Sequence, residues 1–325
     1  MAYEDQAALL DLVAREYDLT LVAAEAGPRG WVGETHILTA ADGTRFFAKI
    51  VPTPDDLAPV VARLAVLEAL RAAGFAHLTF PLRTRAGALT VRLDDRYLVL
   101  FDYINGESSE KVGYEVAQFV TLLARIHQVA VPAIPDVPRE TFGMVLAPDF
   151  QRHYATALHP SGPTPPQAAM QAFLHPHVPQ IARDWEELLA LAAQCREAAW
   201  MPHITHSDAL GHNLLVNATG RIALIDWDEL ALAPVERDTW CALVDPQRRA
   251  PFLQHYRAIF PGYQPNLLFC RFYLLQRFFE DLDGYLSKIN EVESLAEQQM
   301  YLDGMVATEF TWLWPWLRLP LPPDM

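Results

Sequence analysis

Between His206 and Asp228 the chain sets its most reactive side chains at a spacing that any fold it adopts has to honour. The run His206-Ser207-Asp208-Ala209-Leu210-Gly211-His212-Asn213 puts an Asp and an Asn five residues apart. In Ile225-Asp226-Trp227-Asp228 a second Asp follows thirteen residues after the Asn, at the end of a short apolar run. Residues 213–216 and 221–225 read as a small hairpin around Asn217-Ala218-Thr219-Gly220. Phosphoryl transfer needs one carboxylate to orient the attacking hydroxyl, and an amide and a second carboxylate to hold metal ions against nucleotide phosphates. Residue types, order and spacing all agree with that chemistry.

The rest of the chain supplies two contrasting halves. Residues 5–17 place Leu9, Leu10, Val13 and Tyr17 on one helical face. Residues 31–40 and 44–51, rich in Thr, Ile, Phe and Val, read as a hairpin around Ala41-Asp42-Gly43. A helix is predicted between Asp55 and Ala73, stopped by Gly74. Strands are predicted over 88–93 and 96–104, with Asp94-Asp95 as their turn. From Gly113 onward the period becomes helical, broken by Pro132, Pro135 and Pro138 and again by the Pro-rich patch 159–166. Residues 267–289 and 292–316 are long helical stretches. The expected class is α+β and bilobal, with a small antiparallel-sheet lobe over residues 1–105 and a larger, mainly helical lobe over 106–325. No Gly-x-x-x-x-Gly-Lys-Ser/Thr run occurs, which argues against a P-loop nucleotide site.

Composition narrows the partners. The formal net charge of −15 disfavours nucleic acid and suits a cationic small molecule, although charge alone also serves solubility. Cys195, Cys241 and Cys270 have neither the number nor the spacing of a disulfide framework or a zinc knuckle. The opening residues MAYEDQAALL lack the basic flank and long apolar core of a signal peptide. No apolar run reaches membrane-spanning length, and the aromatic stretch Phe310 to Leu321 reads as a terminal segment packed on the core. A cytoplasmic location without membrane partners is expected.

The motifs HSDALGHN and IDWD resemble those of the aminoglycoside phosphotransferase family, the small-molecule kinases with a protein-kinase-like fold. Its catalytic loop has the form His-Gly/Ser-Asp-x-His-x-x-Asn and its metal motif is Ile-Asp-Trp-Asp/Glu. The likeness continues through Ala233-Pro234-Val235-Glu236-Arg237-Asp238 and Arg277-Phe278-Phe279-Glu280-Asp281. Leu210 stands where the family has His, and His212 where it has Gly.

The resemblance implies roles. Asp208 is the catalytic carboxylate, and Asn213 and Asp226 hold Mg2+. Asp228 adds charge near the metal or contacts the substrate. Lys49, closing Phe46-Phe47-Ala48-Lys49, meets the phosphates of ATP, and GTP is not excluded as donor. Glu68 on the following helix is its candidate partner, while Asp55 and Asp56 suit the helix cap equally. Gly30, in Gly27-Pro28-Arg29-Gly30-Trp31-Val32-Gly33, belongs to a phosphate-covering turn. Asp102 and Ile104 lie in an inter-lobe linker that reads the adenine edge. Asp238 braces the catalytic loop. Glu280 and Asp281 line the acceptor side. The expected acceptor is an aminocyclitol or aminoglycoside antibiotic such as spectinomycin. The alternatives are choline, homoserine, methylthioribose or a macrolide, or a nucleotide-binding scaffold without turnover.

Overall fold

In the computed structural model, which describes residues 6–28 and 33–319, the two-residue period of the early strands sorts side chains onto the two faces of one sheet. Helix α1 (Gln6–Tyr17) leads into β1 (Leu21–Ala26), β2 (Glu34–Ala40) and β3 (Arg45–Pro52). After α2 (Ala58–Ala72) come β4 (Val91–Leu93) and β5 (Arg96–Asp102). The order across the sheet is β1-β2-β3-β5-β4, every neighbouring pair antiparallel. On one face Leu38, Phe46, Ala48, Ile50, Leu98 and Leu100 pack against Leu9, Val13 and Tyr17 of α1. The opposite parity, Phe47, Tyr97, Val99 and Phe101, joins Val66, Leu67 and Leu70 of α2 in a second cluster. Lys49 is on this second face, in register with Val99. Gly74, at φ 89°, ends the last turn of α2 as its position in the sequence predicts. Strand β1 goes beyond what the sequence predicts, because Leu-Val-Ala-Ala-Glu-Ala at the sheet edge has no buried residue and lacks clean alternation.

The chain continues through β6 (Glu107–Ser108), α3 (Ser109–Val112) and α4 (Val116–His127). The motif region then forms β7 (His203–Thr205), the hairpin β8 (Leu214–Val216) and β9 (Ile222–Leu224), and β10 (Ala231–Ala233). Ile204, Ala209, Leu214, Leu224 and Trp227 enter the same cluster as α2 and the second sheet face. Residues 77–82 bind on both sides. Leu224 N–H donates to the His77 carbonyl at 3.0 Å, while Leu82 N–H donates to Leu100 at 2.8 Å and Asp102 N–H to Phe80 at 3.1 Å. This strap fixes the strand before Asp226 to the strand that crosses behind Lys49.

The described residues fall into two compact units, one drawn from Met1–Arg139 and Pro202–Ala233, the other from Glu140–Met201 and Pro234–Met325. The second unit is helical: α5 (Ala147–Leu158), α6 (Pro165–Leu174), α7 (Val178–Glu197), α8 (Glu236–Val244), α9 (Pro246–Ile259), α10 (Leu267–Glu291) and α11 (Leu295–Met305). A π-helical stretch, Val306–Leu313, then leads into α12 (Trp314–Trp316). Helix α10 is the centre of this unit, with Phe269, Phe272, Phe278 and Phe279 buried in one cluster. The aromatic tail packs onto it, with the Phe278 and Trp314 rings stacked at 6.1 Å. Asp184 of α7 anchors the tail through Trp314 Nε1 at 2.9 Å and a two-pronged contact with Arg318. Burial pushes the Asp184 carboxyl up, but Arg318, Trp314 and Gln180 hold it below its ordinary value. Among the described residues no helix is long and apolar enough to cross a membrane.

Glu309 sits inside the π-helical turn, fully buried, with neither carboxyl oxygen hydrogen-bonded. Burial and the nearby Asp281 push its carboxyl up to about 9, against the pull of Arg277. The folded chain therefore keeps a proton on Glu309 that the unfolded chain releases above its ordinary value, so wild-type stability falls as pH rises between the two. Glu309→Gln abolishes this titration. The stability difference between variant and wild type, measured by denaturant unfolding, should shift in the variant's favour from about pH 5 to about pH 8.5. A pH-independent difference would show that Glu309 is ionised in the folded protein.

Candidate functional site

The segment His206–Asn213 is tied together by its own hydrogen bonds. His206 is buried, with Nε2 donating to the Ile225 carbonyl at 2.8 Å and Nδ1 accepting from Asp208 N–H at 3.3 Å. Its ring lies edge-on to Trp227 at 4.5 Å. One imidazole thus joins the backbone before Asp226 to the backbone of Asp208. Asn213 donates from Nδ2 to the Asp208 carbonyl and to Asp208 Oδ2, both at 2.9 Å. Those two bonds use both amide hydrogens and leave Oδ1 as the acceptor of that side chain. Ser207 at φ 75° and Asp226 at φ 59° are non-glycine residues in the left-handed region. Backbone strain of this kind persists only where the surroundings hold it.

Lys49 reaches the same place from the sheet. Its Nζ lies 2.8 Å from Asp226 Oδ1 and 2.6 Å from Asp228 Oδ2. The lysine side chain is 15% exposed, against 48% and 54% for the two carboxylates. Burial alone would lower the lysine pKa, but the charges of Asp228 and Asp226 outweigh it and the ammonium is raised above its ordinary value. The position therefore already favours a cation.

Among the described residues no group of three or more His, Cys, Asp or Glu side chains is gathered as a metal cage. Mg2+ commonly takes one or two protein oxygens and completes its octahedron with phosphates and waters. Asn213 Oδ1 and Asp226 are oxygen donors of the required kind.

The other predicted nucleotide residues divide. Glu68 does not meet Lys49 in this structure; both of its carboxylate oxygens accept from Arg83. The register of α2 turns it there, and the ammonium is satisfied by Asp226 and Asp228 instead. Gly30 lies outside the described residues. A Cβ on Gly27 would overlap the Thr35 side chain, and one on Gly33 would overlap the Ile50 carbonyl.

Asp102 is spent on the chain itself. Its N–H goes to Phe80, and its carboxylate accepts from Phe80 N–H at 2.8 Å and Arg71 at 2.9 Å. Burial raises its carboxyl above the ordinary value despite those donors. The backbone of Ile104 makes no hydrogen bond within the described residues.

Within the helical unit, Glu280 accepts from Gln276 at 2.8 Å and Asp281 from Arg277 at 2.6 Å, both along α10. Asp238 is buried in the first turn of α8. Two functional-looking residues went unread in the sequence. Glu309 could have been noticed as an acid immediately before the aromatic run that opens at Phe310. His212, which stands where the family has Gly, places Nε2 2.9 Å from Asp208 Oδ2.

Residues 24–269 match the model of the APH phosphotransferase enzyme family, most of the chain. The chain belongs to that family. This APH-family chain is 28% identical over 204 residues to protein StrN of Streptomyces griseus, which covers 58% of this chain and 62% of StrN. It therefore spans about three fifths of that relative's length. Among solved structures it is similar to spectinomycin phosphotransferase APH(9)-Ia in complex with ADP and spectinomycin, with a TM-score of 0.77 and 19% identity over 94% of this chain and 95% of the other. An aminoglycoside phosphotransferase from Alicyclobacillus acidocaldarius also aligns, at a TM-score of 0.64 and 19% identity over 94% and 93% of the two chains. The antiparallel-sheet N-terminal region followed by a mainly helical C-terminal region is the protein-kinase-like fold of these neighbours, as expected from the sequence.

The pairing pattern gives a direct comparison for this APH-family chain. Asp226→Ala should weaken Mg-nucleotide binding by about tenfold or more, whereas Glu68→Gln, which touches only the Arg83 contact, should change it by less than about twofold. Calorimetric titration with Mg-ATP checks both. A large loss in Glu68→Gln would mean that Glu68 leaves Arg83 when nucleotide binds.

Proposed function

We propose that this chain is a Mg2+-dependent small-molecule kinase that moves the γ-phosphate of ATP to a hydroxyl of an aminocyclitol or aminoglycoside. The observation that carries the reading is the convergence of Asp208, Asn213, Asp226 and Lys49 within one compact unit, around a position that already stabilises a cation. Bound between Asn213 Oδ1 and Asp226, Mg2+ would neutralise charge on the phosphates. Lys49 would exchange part of its carboxylate contact for phosphate oxygens. Asp208 would accept the hydrogen bond of the acceptor hydroxyl, orient it, and take its proton as the new P–O bond forms. Ile104 would meet the adenine edge through its open backbone groups. In this reading residues 1–105 act as the nucleotide lobe and 106–325 as the lobe with catalytic loop and acceptor pocket, working in the cytoplasm.

An acceptor with several ammonium groups needs carboxylates, and Asp228, Glu280 and Asp281 are the ones proposed to meet it. The fold neighbour solved with spectinomycin supports that compound as the first to try. Choline-like amino alcohols and macrolides form the second choice, because the family's catalytic motifs do not specify the acceptor.

The test is nucleotide consumption across aminocyclitols, aminoglycosides, macrolides and amino alcohols. Turnover is expected with a cationic polyol, and Asp208→Asn should lower kcat by about a thousandfold or more while Mg-nucleotide still binds. Neutralising Glu280 and Asp281 should raise the acceptor KM. Turnover confined to an uncharged acceptor, indifferent to those two acids, would remove the cationic-acceptor reading and leave the kinase. Nucleotide binding without turnover on any acceptor would favour a scaffold.

A further inference from the structure

His212 is exposed at the edge of the 3-10 turn Gly211–Asn213, yet it reaches inward to Asp208. A carboxylate oxygen only accepts, so Nε2 carries the hydrogen and His212 is the donor. Asn213 Nδ2 donates to the same oxygen, Oδ2, at 2.9 Å. Two donors converging on one oxygen fix the rotation of the carboxylate about its Cβ–Cγ bond. They are not equivalent, because the Asn213 amide also holds the Asp208 carbonyl and its oxygen is the proposed metal donor. His212 is a grip on the carboxylate with no share in the metal. The backbone beneath it is firmly set: Leu210 N–H donates to Asp208 at 2.8 Å, Asn213 N–H to Leu210 at 3.0 Å, and the buried Ser109 hydroxyl to Gly211 at 2.7 Å. The imidazole is therefore carried on a fixed base.

We propose that His212 is a positioning residue for phosphoryl transfer, its Nε2–H holding the Asp208 carboxylate in the rotamer that receives the acceptor hydroxyl. The proposal rests on Asp208 being the catalytic carboxylate. A near-attack geometry is sensitive to small displacements: a misplacement on the order of 1 Å can lower a rate by about a hundredfold. The loss on removing His212 therefore belongs in kcat rather than in nucleotide binding. A glutamine at 212 offers an N–H of similar reach; an alanine offers none.

The experiment measures kcat and the KM for Mg-ATP, with spectinomycin as acceptor and with water as acceptor, in wild type, His212→Ala, His212→Gln and Asp208→Asn. His212→Ala should lose about tenfold to a hundredfold in kcat with the Mg-ATP KM within about twofold of wild type, and His212→Gln should recover most of that loss. Equal kcat in His212→Ala and wild type overturns the proposal, as does an equal loss in both His212 variants accompanied by a matching rise in KM. An Asp208→Asn variant as active as wild type brings down the catalytic reading beneath it. An inactive Asp208→Asn beside an unimpaired His212→Ala brings down the positioning role alone. Without any acceptor, NMR of the imidazole N–H protons should show the His212 Nε2–H slowed in exchange, and Asp208→Ala should release it. A His212 signal unchanged by Asp208→Ala would overturn the contact itself.

Discussion

A single ammonium links the two halves of this site. Lys49 on β3 and the Asp226–Asp228 pair are separated by 177 and 179 residues, and they meet because a nearly buried positive charge must find anions. The sheet sets which way the lysine points, since its parity is that of Phe47, Tyr97 and Phe101 rather than of the face covered by α1. The shared hydrophobic cluster then brings α2, the second sheet face and the β8–β9 hairpin into one body. Tyr97 registers the same charges: burial and Asp228 raise its phenol, while Lys49 and Arg63 oppose them.

Backbone connections do as much as side chains in holding this arrangement. Residues 77–82 lie hydrogen-bonded to β9 on one side and to β5 on the other. The strand that precedes Asp226 and the strand that ends at Asp102 are thus parts of one network. Asp102, a half-exposed acid at the end of β5, gives its carboxylate to the same strap through Phe80 N–H. His206 makes the matching connection between Ile225 and Asp208.

Much of this was legible from residue pattern. The hairpin around Asn217–Gly220, the alternation in β2 and β3, the Gly74 stop and the long α10 all follow from local rules, because local hydrogen bonding and one buried face decide them. Lys49 could be singled out because a charge at the end of an apolar strand has few acceptable environments. What escaped depends on geometry that spacing does not encode. The rotation of α2 about its axis decides whether Glu68 faces Lys49 or Arg83. The continuous helix expected over 292–316 is interrupted by the π-helical turn that contains Glu309. The tilt of one imidazole decides whether His212 points to water or to Asp208.

The left-handed backbone at Ser207 and Asp226 has a further consequence for how such a chain can change over time. A residue with a Cβ in that region costs roughly 1–3 kcal/mol unless its neighbours enforce it. Both strained positions touch the catalytic segment, one immediately before Asp208 and the other at a proposed metal ligand. Glycine at position 207 would relax the loop at no steric expense, and at 226 it would also delete the carboxylate. Selection for robustness alone would therefore drift toward glycine at both places, at 226 eroding the site as the molecule became sturdier. A lineage that has lost its substrate should record that loss at position 226 rather than at 207, where the family's own loop pattern already accepts glycine, and before the buried phenylalanines of α10 show any change.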